Sequence, residues 1–327
     1  MTPRRTIIGV DAGGTKTIAR IAAIDGDHCI AVLGEGRAGS GNPRSVGGGQ
    51  ALQNIERAIQ LAWAQSQQQR CIADCIVLGI AGGGGDEFES RLANWLRRDA
   101  IARTIQSVAD YRLIVPAAFG TEIGVGVVAG TGSVAFGNDG QGNSAVVGGW
   151  GYLFGDEGSA FAVGRAGLMA ATRCADGRGP QTELVPELHR FWETREPAEW
   201  KQRVYESLSP REAIAGLAPV VIQTAGCGDR VSMGILDNAA SDLCDMIMSV
   251  VGRLGFAGGG YSLAIAGGLL VGVERLRERV IDQLRHQGLA PGAVVSVEEP
   301  VAGAIALAAL LVATPSAGQD KCGGTQQ

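Results

Sequence analysis

The residues of this chain best suited to chemistry sit in glycine-rich turns. The first turn is Asp11-Ala-Gly-Gly-Thr-Lys-Thr17. Glycines there would admit left-handed backbone, so that successive N–H groups converge on an anion, while Thr15, Lys16 and Thr17 add side-chain donors. Asp11, Gly13, Gly14, Thr15, Lys16 and Thr17 are therefore candidates for holding phosphate. The turn is not a Walker A loop, because a residue separates glycine from the Lys-Thr pair and no helix obviously follows. A hairpin turn with a solvated Asp would read the same. A second turn, Gly130-Thr-Gly-Ser133, has the same character. Two such turns, each after an apolar strand, would grip a polyphosphate.

A third stretch, Gly148-Gly-Trp-Gly-Tyr-Leu-Phe-Gly-Asp-Glu-Gly-Ser159, suits a sugar. The Trp150 face can lie on the ring and a carboxylate can take its hydroxyls. The alternative is a core Trp with Asp156 capping the next helix. Asp110 ends a short strand, where α/β folds place their ligands, and could act as general base. Before any resemblance is considered, a plain turn Asp before Tyr111 is the better reading. Gly267-Gly268 could approach a nucleotide or simply begin a helix.

The elements that position these residues follow from hydrophobic period. Thr6–Val10 and Ile18–Ile24 read as a hairpin, Gly34–Gly49 as a loop, and Leu52, Ile55, Ile59 and Trp63 as one face of a helix. A strand at 76–80, a helix through Phe88, Leu92, Trp95 and Leu96, and a strand at 105–108 follow. The pattern restarts with a strand at 124–128 and a hairpin over 134–137 and 144–148. Helices are expected at 159–175, 183–206, 210–222, 230–254 and 271–287, with a strand at 263–266. The segments 7–15 and 125–133 share a strand–glycine-turn–hydroxyl pattern, which suggests a duplicated α/β architecture.

Composition bounds the rest. The 327 residues favour two domains. With 46% hydrophobic and 19% charged residues the chain is globular over most of its length. Its 28 Lys and Arg against 33 Asp and Glu give a net charge of −5, which speaks against nucleic acid or an anionic membrane as partner. Glycine is the outlier at 51 residues, more than twice its usual share of about 7%. The seven cysteines form no CxxC pair, so neither a disulfide framework nor a zinc site is expected. The apolar run Val301–Ala313 is too short to span a bilayer. A soluble cytoplasmic protein is expected.

Taken in order, Asp11-x-Gly-Gly-Thr-x-Thr17, Gly130-Thr-Gly-Ser133 and the Gly-Gly-Trp-Gly…Gly-Asp-Glu-Gly-Ser stretch resemble the N-acetylglucosamine kinase and BadF/BadG/BcrA/BcrD ATPase family, within the actin-like sugar kinase/Hsp70 superfamily. The resemblance runs from residue 6 to about 313. It implies two ribonuclease-H-like α/β domains flanking a nucleotide cleft: an N-terminal domain over 1–118, completed by a returning helix at 300–313, and a second over 119–299. The tail 314–327 is expected to be disordered.

The resemblance further implies ATP and Mg²⁺, with Asp11 holding the metal through water and Asp110 as catalytic base. It places Asn42, Gly82, Thr131, Gly132, Gly149, Trp150 and Asp156 on the sugar. On the nucleotide it places Asp11, Gly13, Gly14, Thr15, Lys16, Thr17, Gly130, Gly228, Gly267 and Gly268. The implied activity is phosphorylation of the C6 hydroxyl of N-acetylglucosamine. Alternatives are a glucosamine or N-acetylmuramic acid kinase, a BadF-type ATPase activator, and a non-catalytic nucleotide-binding regulator. The partner is an amino sugar, and a homodimer stays open. The chain departs from the family pattern where Tyr111-Arg112 follows Asp110 and where Ala81 stands at a position that can be Ser. The cluster cysteines of the activator branch and the Cys/His zinc motif of ROK kinases are absent from the sequence.

Overall fold

The computed structural model describes residues 4–25, 29–83, 85–256 and 260–313. The tail 314–327, His28 and Cys322 lie outside them. Contacts divide the described residues into two units, one from 4–121 with 300–313 and one from 122–299.

The first unit opens with strands β1 (Arg5–Ala12), β2 (Thr17–Asp25) and β3 (Cys29–Ala38). Helices α1 (Pro43–Val46) and α2 (Gly48–Ser66) follow, then β4 (Ala73–Ile80), α3 (Gly85–Arg98), β5 (Ala102–Ala109), a 3-10 turn at Asp110–Leu113 and α4 (Ile114–Phe119). The sheet order is β3-β2-β1-β4-β5. β1 pairs antiparallel with β2 and parallel with β4, and β4 pairs parallel with β5. The spacing of Phe88, Leu92, Trp95 and Leu96 puts them all on the buried side of α3.

The second unit holds β6 (Gly124–Ala129), β7 (Ser133–Asn138), β8 (Ser144–Gly148), α5 (Ala160–Ala175), α6 (Leu184–Trp192), α7 (Ala198–Tyr205), α8 (Pro210–Ala215), α9 (Ala218–Gly226) and α10 (Arg230–Arg253). It ends with β9 (Ser262–Ala266), α11 (Gly268–Gly272), α12 (Glu274–His286) and β10 (Ala293–Val297). Its sheet order is β10-β9-β6-β7-β8. Read from the first strand outward, each sheet has two antiparallel neighbours on one side and two parallel ones on the other. The duplication suggested by the two glycine turns therefore extends to the whole sheet.

Helix α13 (Val301–Ala313) returns to the first unit. There Ala304, Ile305, Leu307 and Ala308 pack with Ile7, Ala22, Cys75, Val77 and Leu113. Two glycines permit this approach. A Cβ on Gly9 would come within 2.8 Å of the Ile305 nitrogen, and one on Gly303 would overlap the Leu113 carbonyl.

Several expected boundaries differ. The supposed loop at 34–49 is largely structured, as β3, α1 and the start of α2. Its glycines mark close packing: a Cβ on Gly34 would collide with the Ala62 carbonyl, and one on Gly36 with that of Ala58. Helix α2 thus lies directly on β3. The helix expected at 183–206 breaks where Glu193 turns left-handed at φ 52° and Pro197 follows. The one at 210–222 breaks at Gly216, before Pro219. The one at 271–287 is two helices meeting at Val273. Strand β10 was not foreseen, because one apolar pair within a small-residue segment carries little period signal.

Candidate active site

In the first unit, register brings two carboxylates to one end of the sheet. Asp11 pairs with Gly79, Ala12 with Ile80, and Ile80 with Ala109, so Asp110 begins where the adjacent parallel strands end. This is the C-terminal edge, where α/β sheets bind ligands. Burial pushes the Asp11 carboxyl up to about 7, with the Asp110 charge adding to the rise and Lys16 opposing it. Burial also raises Asp110, against hydrogen bonds from the Tyr111 N–H, to Oδ1 at 3.0 Å, and from its own backbone N–H. The 3-10 turn that starts at Asp110 is seated by Leu113, which fills the space a Cβ on Gly79 would occupy and lies under Gly303.

The turn between β1 and β2 is closed by the Gly13 N–H donating to the Lys16 carbonyl at 2.9 Å. Neither Gly13 nor Gly14 has positive φ, contrary to the sequence argument for a left-handed turn. What holds this turn is contact with a second loop. The Thr17 hydroxyl donates to the Gly39 carbonyl at 2.8 Å, and the Gly41 N–H to the Gly13 carbonyl at 3.1 Å. Thr17 is wholly buried, so its hydroxyl braces the loop and is not turned out to a ligand. Thr15 and Lys16 are exposed.

That second loop delivers Asn42. Its Oδ1 accepts from the Arg44 N–H at 2.9 Å and caps α1. Gly82, at φ 77°, faces it: a Cβ there would stand 2.5 Å from Asn42 Oδ1. Asp11, the 13–17 turn, Asn42, Gly82 and Asp110 therefore belong to one edge of the first unit.

In the second unit, the turn after β6 is closed by the Gly130 N–H donating to the Gly132 carbonyl at 2.9 Å. Gly130 and Gly132 likewise have ordinary φ. Gly132 is glycine for space, since a Cβ would meet Asp156 Oδ1 at 2.7 Å and Arg211 Nη2 at 2.8 Å. Asp156 is 3% exposed. Its Oδ1 accepts from the Ser133 N–H at 3.2 Å and its Oδ2 from Arg211 Nη2 at 2.9 Å. The cap of α5 is Ser159, whose hydroxyl accepts from the Ala162 N–H. Gly267 does need its left-handed φ of 92°, and its α-carbon abuts Ala129, where a Cβ would lie 2.4 Å from backbone. The Gly267-Gly268 turn and the Gly130–Gly132 turn are thus neighbours at the ends of the parallel pair β6 and β9.

Trp150 is 71% exposed, which excludes the core alternative. It stands with exposed Leu153 and Phe154 after Gly149, itself hydrogen-bonded to the Ser133 carbonyl. Thr131 is exposed at the turn tip. Gly228 lies between α9 and α10, with open space about its α-carbon. Sequence reasoning missed Arg211, 55 residues from the carboxylate it pairs with. It also missed a cavity of about 330 Å³ beside Asn42, lined by residues from 43–48 and 83–91. Among the described residues no helix is long and apolar enough to cross a membrane.

Residues 8–312 match the profile of the BadF/BadG/BcrA/BcrD ATPase family. The N-acetylmuramic acid/N-acetylglucosamine kinase of Clostridium acetobutylicum is 30% identical over 276 residues, covering 83% of this chain and 87% of that protein. The N-acetyl-D-glucosamine kinase of Dictyostelium discoideum is 26% identical over 77% of this chain and 81% of its own length. Among solved structures, a candidate N-acetylglucosamine kinase from Chromobacterium violaceum aligns with a TM-score of 0.73 at 24% identity, over 93% of this chain and 99% of that one. The ROK hexokinase of Thermus thermophilus aligns at 0.55 and 16% identity, over 94% and 99%. These likenesses in structure establish the actin-like ATPase fold.

Proposed function

The chain belongs to the BadF/BadG/BcrA/BcrD ATPase family, and from that premise we propose that it is an ATP-dependent amino-sugar kinase acting on the C6 hydroxyl of N-acetylglucosamine. The observation that carries this reading is the pair Asp11 and Asp110, two carboxylates with raised proton affinity at one sheet edge, beside Asn42 and Gly82. The relatives named as N-acetylglucosamine kinases support the substrate class.

Phosphoryl transfer asks mainly for positioning and charge neutralisation. Asp110 accepts the proton of the sugar hydroxyl as that oxygen bonds to the γ-phosphorus. The bond from phosphorus to the β,γ-bridging oxygen breaks and ADP departs. Asp110 is raised by burial, which suits it to take up that proton. Asn42 orients the sugar, and backbone N–H groups of the glycine turns receive phosphate oxygens.

The donor set fits Mg²⁺. Asp11 and Asp110 are hard oxygen donors that repel one another, and among the described residues no group of three or more His, Cys, Asp or Glu could enclose a metal alone. Mg²⁺ commonly takes one or two carboxylates and completes its shell with water and phosphate. Asp11 would hold it, and when bound it neutralises phosphate charge.

A coupled ADP-release assay across N-acetylglucosamine, glucosamine, N-acetylmuramic acid and glucose tests the reading. ADP release that depends on an amino sugar, with phosphate on C6, is expected. ATP hydrolysis indifferent to every sugar would overturn it.

A further inference from the structure

The cavity beside Asn42 is not used by the mechanism above. It measures about 330 Å³, at the small end of ligand pockets. Pro43, Arg44, Gly48, Glu87, Phe88 and Arg91 line it. Phe88 is 5% exposed and packs against Gly48, giving the cavity an apolar floor. The walls are charged. Neither the Arg44 nor the Arg91 guanidinium has a hydrogen-bond or ion-pair partner among the described residues, and neither has the Glu87 carboxylate. Two guanidiniums against one carboxylate leave a single positive charge, which matches a monoanion better than a phosphate dianion. A guanidinium is the side chain suited to a carboxylate, through two parallel N–H donors.

The cavity also adjoins the sugar-side residues along the chain, since Pro43 and Gly83, which line it, directly follow Asn42 and Gly82. Arg44 lies two positions after Asn42 and its backbone N–H donates to the Asn42 side chain. Gly83, also in the lining, follows the Gly82 that abuts Asn42. A substituent that projects toward α1 from a sugar held by Asn42 would reach this space.

We propose that the cavity binds a carboxylate carried on the amino sugar, with Arg44 and Arg91 as the residues that distinguish acidic from neutral substrates. The inference rests on Asn42 and Gly82 holding the sugar, as in the function proposed above. Because both arginines are exposed to water, the preference is screened by salt. Glu87 opposes it, so the three side chains set the discrimination between them.

The test is calorimetric binding of N-acetylmuramic acid and N-acetylglucosamine to the full chain, with kinase rates measured in parallel. Arg91→Gln and Arg44→Gln should each weaken the acidic sugar about tenfold, the size of one lost charged hydrogen bond, and leave the neutral sugar unchanged. Glu87→Gln should tighten the acidic sugar, an effect no loss of packing would produce. Raising salt from 0.05 to about 0.5 M should erase the preference. If the neutral sugar binds and is phosphorylated while the acidic one is indifferent to all three substitutions, the inference is overturned and the kinase reading stands. If neither sugar binds, both fall.

Discussion

The two units share a strand order and a glycine turn after their first strand, yet they treat the carboxylates near those turns in opposite ways. In the second unit Asp156 is enclosed and both its oxygens are satisfied, by the Ser133 N–H and Arg211. In the first unit burial and the charge of a second carboxylate, Asp110, raise the proton affinity of Asp11, while the Lys16 charge opposes the rise. A satisfied carboxylate holds a turn in place. An unsatisfied one stores affinity for whatever positive group or proton arrives. One scaffold, used twice, has one edge built for rigidity and one left electrostatically incomplete.

The largest expected effect lies on the incomplete side. Asp110→Asn should lower kcat by at least about 10²-fold while leaving sugar and nucleotide binding nearly intact. Steady-state kinetics with binding isotherms would check this, and near-normal turnover would remove Asp110 from the reaction. On the satisfied side, Asp156→Ala strands Arg211 and the Ser133 N–H. Breaking a buried pair costs about 3–5 kcal/mol, but Arg211 keeps access to water, so about 1–3 kcal/mol is expected in denaturant unfolding. Gly132→Val should act similarly, because its side chain would push between Asp156 and Arg211. It should also raise KM for ATP, and an unchanged KM in a folded variant would make that turn structural only.

The smallest effect is the sharpest contrast. Asp11 has a folded pKa of about 7 against 3.8 for the free group. The neutral form is favoured in the fold, so stability without ligand is highest at low pH and falls as pH rises from about 4 to 7. Asp11→Asn should therefore stabilise the ligand-free protein at pH 8, by about 1 kcal/mol or roughly 2–4 °C in Tm, and flatten that decline. The same substitution should impair turnover. Calorimetric scans at pH 5 and pH 8 decide it, and an unaltered slope would mean that water already screens the pair. In the wild type, kcat/KM for nucleotide should drop as pH falls through about 7 and Asp11 takes up its proton.

The hairpins, the positions of both glycine turns and the amphipathic helices α2 and α3 were legible from local period, although the left-handed backbone argued for the turn glycines Gly13, Gly14, Gly130 and Gly132 is not found. What escaped is non-local. β3 looked like a loop because Gly34 and Gly36 resemble turn residues until helix α2 is laid over them. Asp156 resembles a free ligand residue until Arg211, 55 positions away, closes on it. Arg44 and Arg91 gave no signal at all, since only the packing of Gly48 on Phe88 brings their walls together. The motif residues of the first unit were legible as a group, but not that Thr17 would be spent on bracing Gly39.

The glycine contact between α13 and the Asp110 turn has a consequence for how the chain is made. Ribosomal synthesis delivers β1 to α4 first and residues 301–313 only after the whole second unit has emerged. Until then one face of the first sheet, with Ile7, Cys75 and Val77, lacks its covering helix, and Leu113 lacks Gly303 behind it. A nascent chain stalled before Val301 would hold every residue of the first active edge and still lack the helix that backs Leu113, three residues after Asp110. The packing behind the Asp110 turn is thereby tied to the emergence of residues 301–313 from the ribosome.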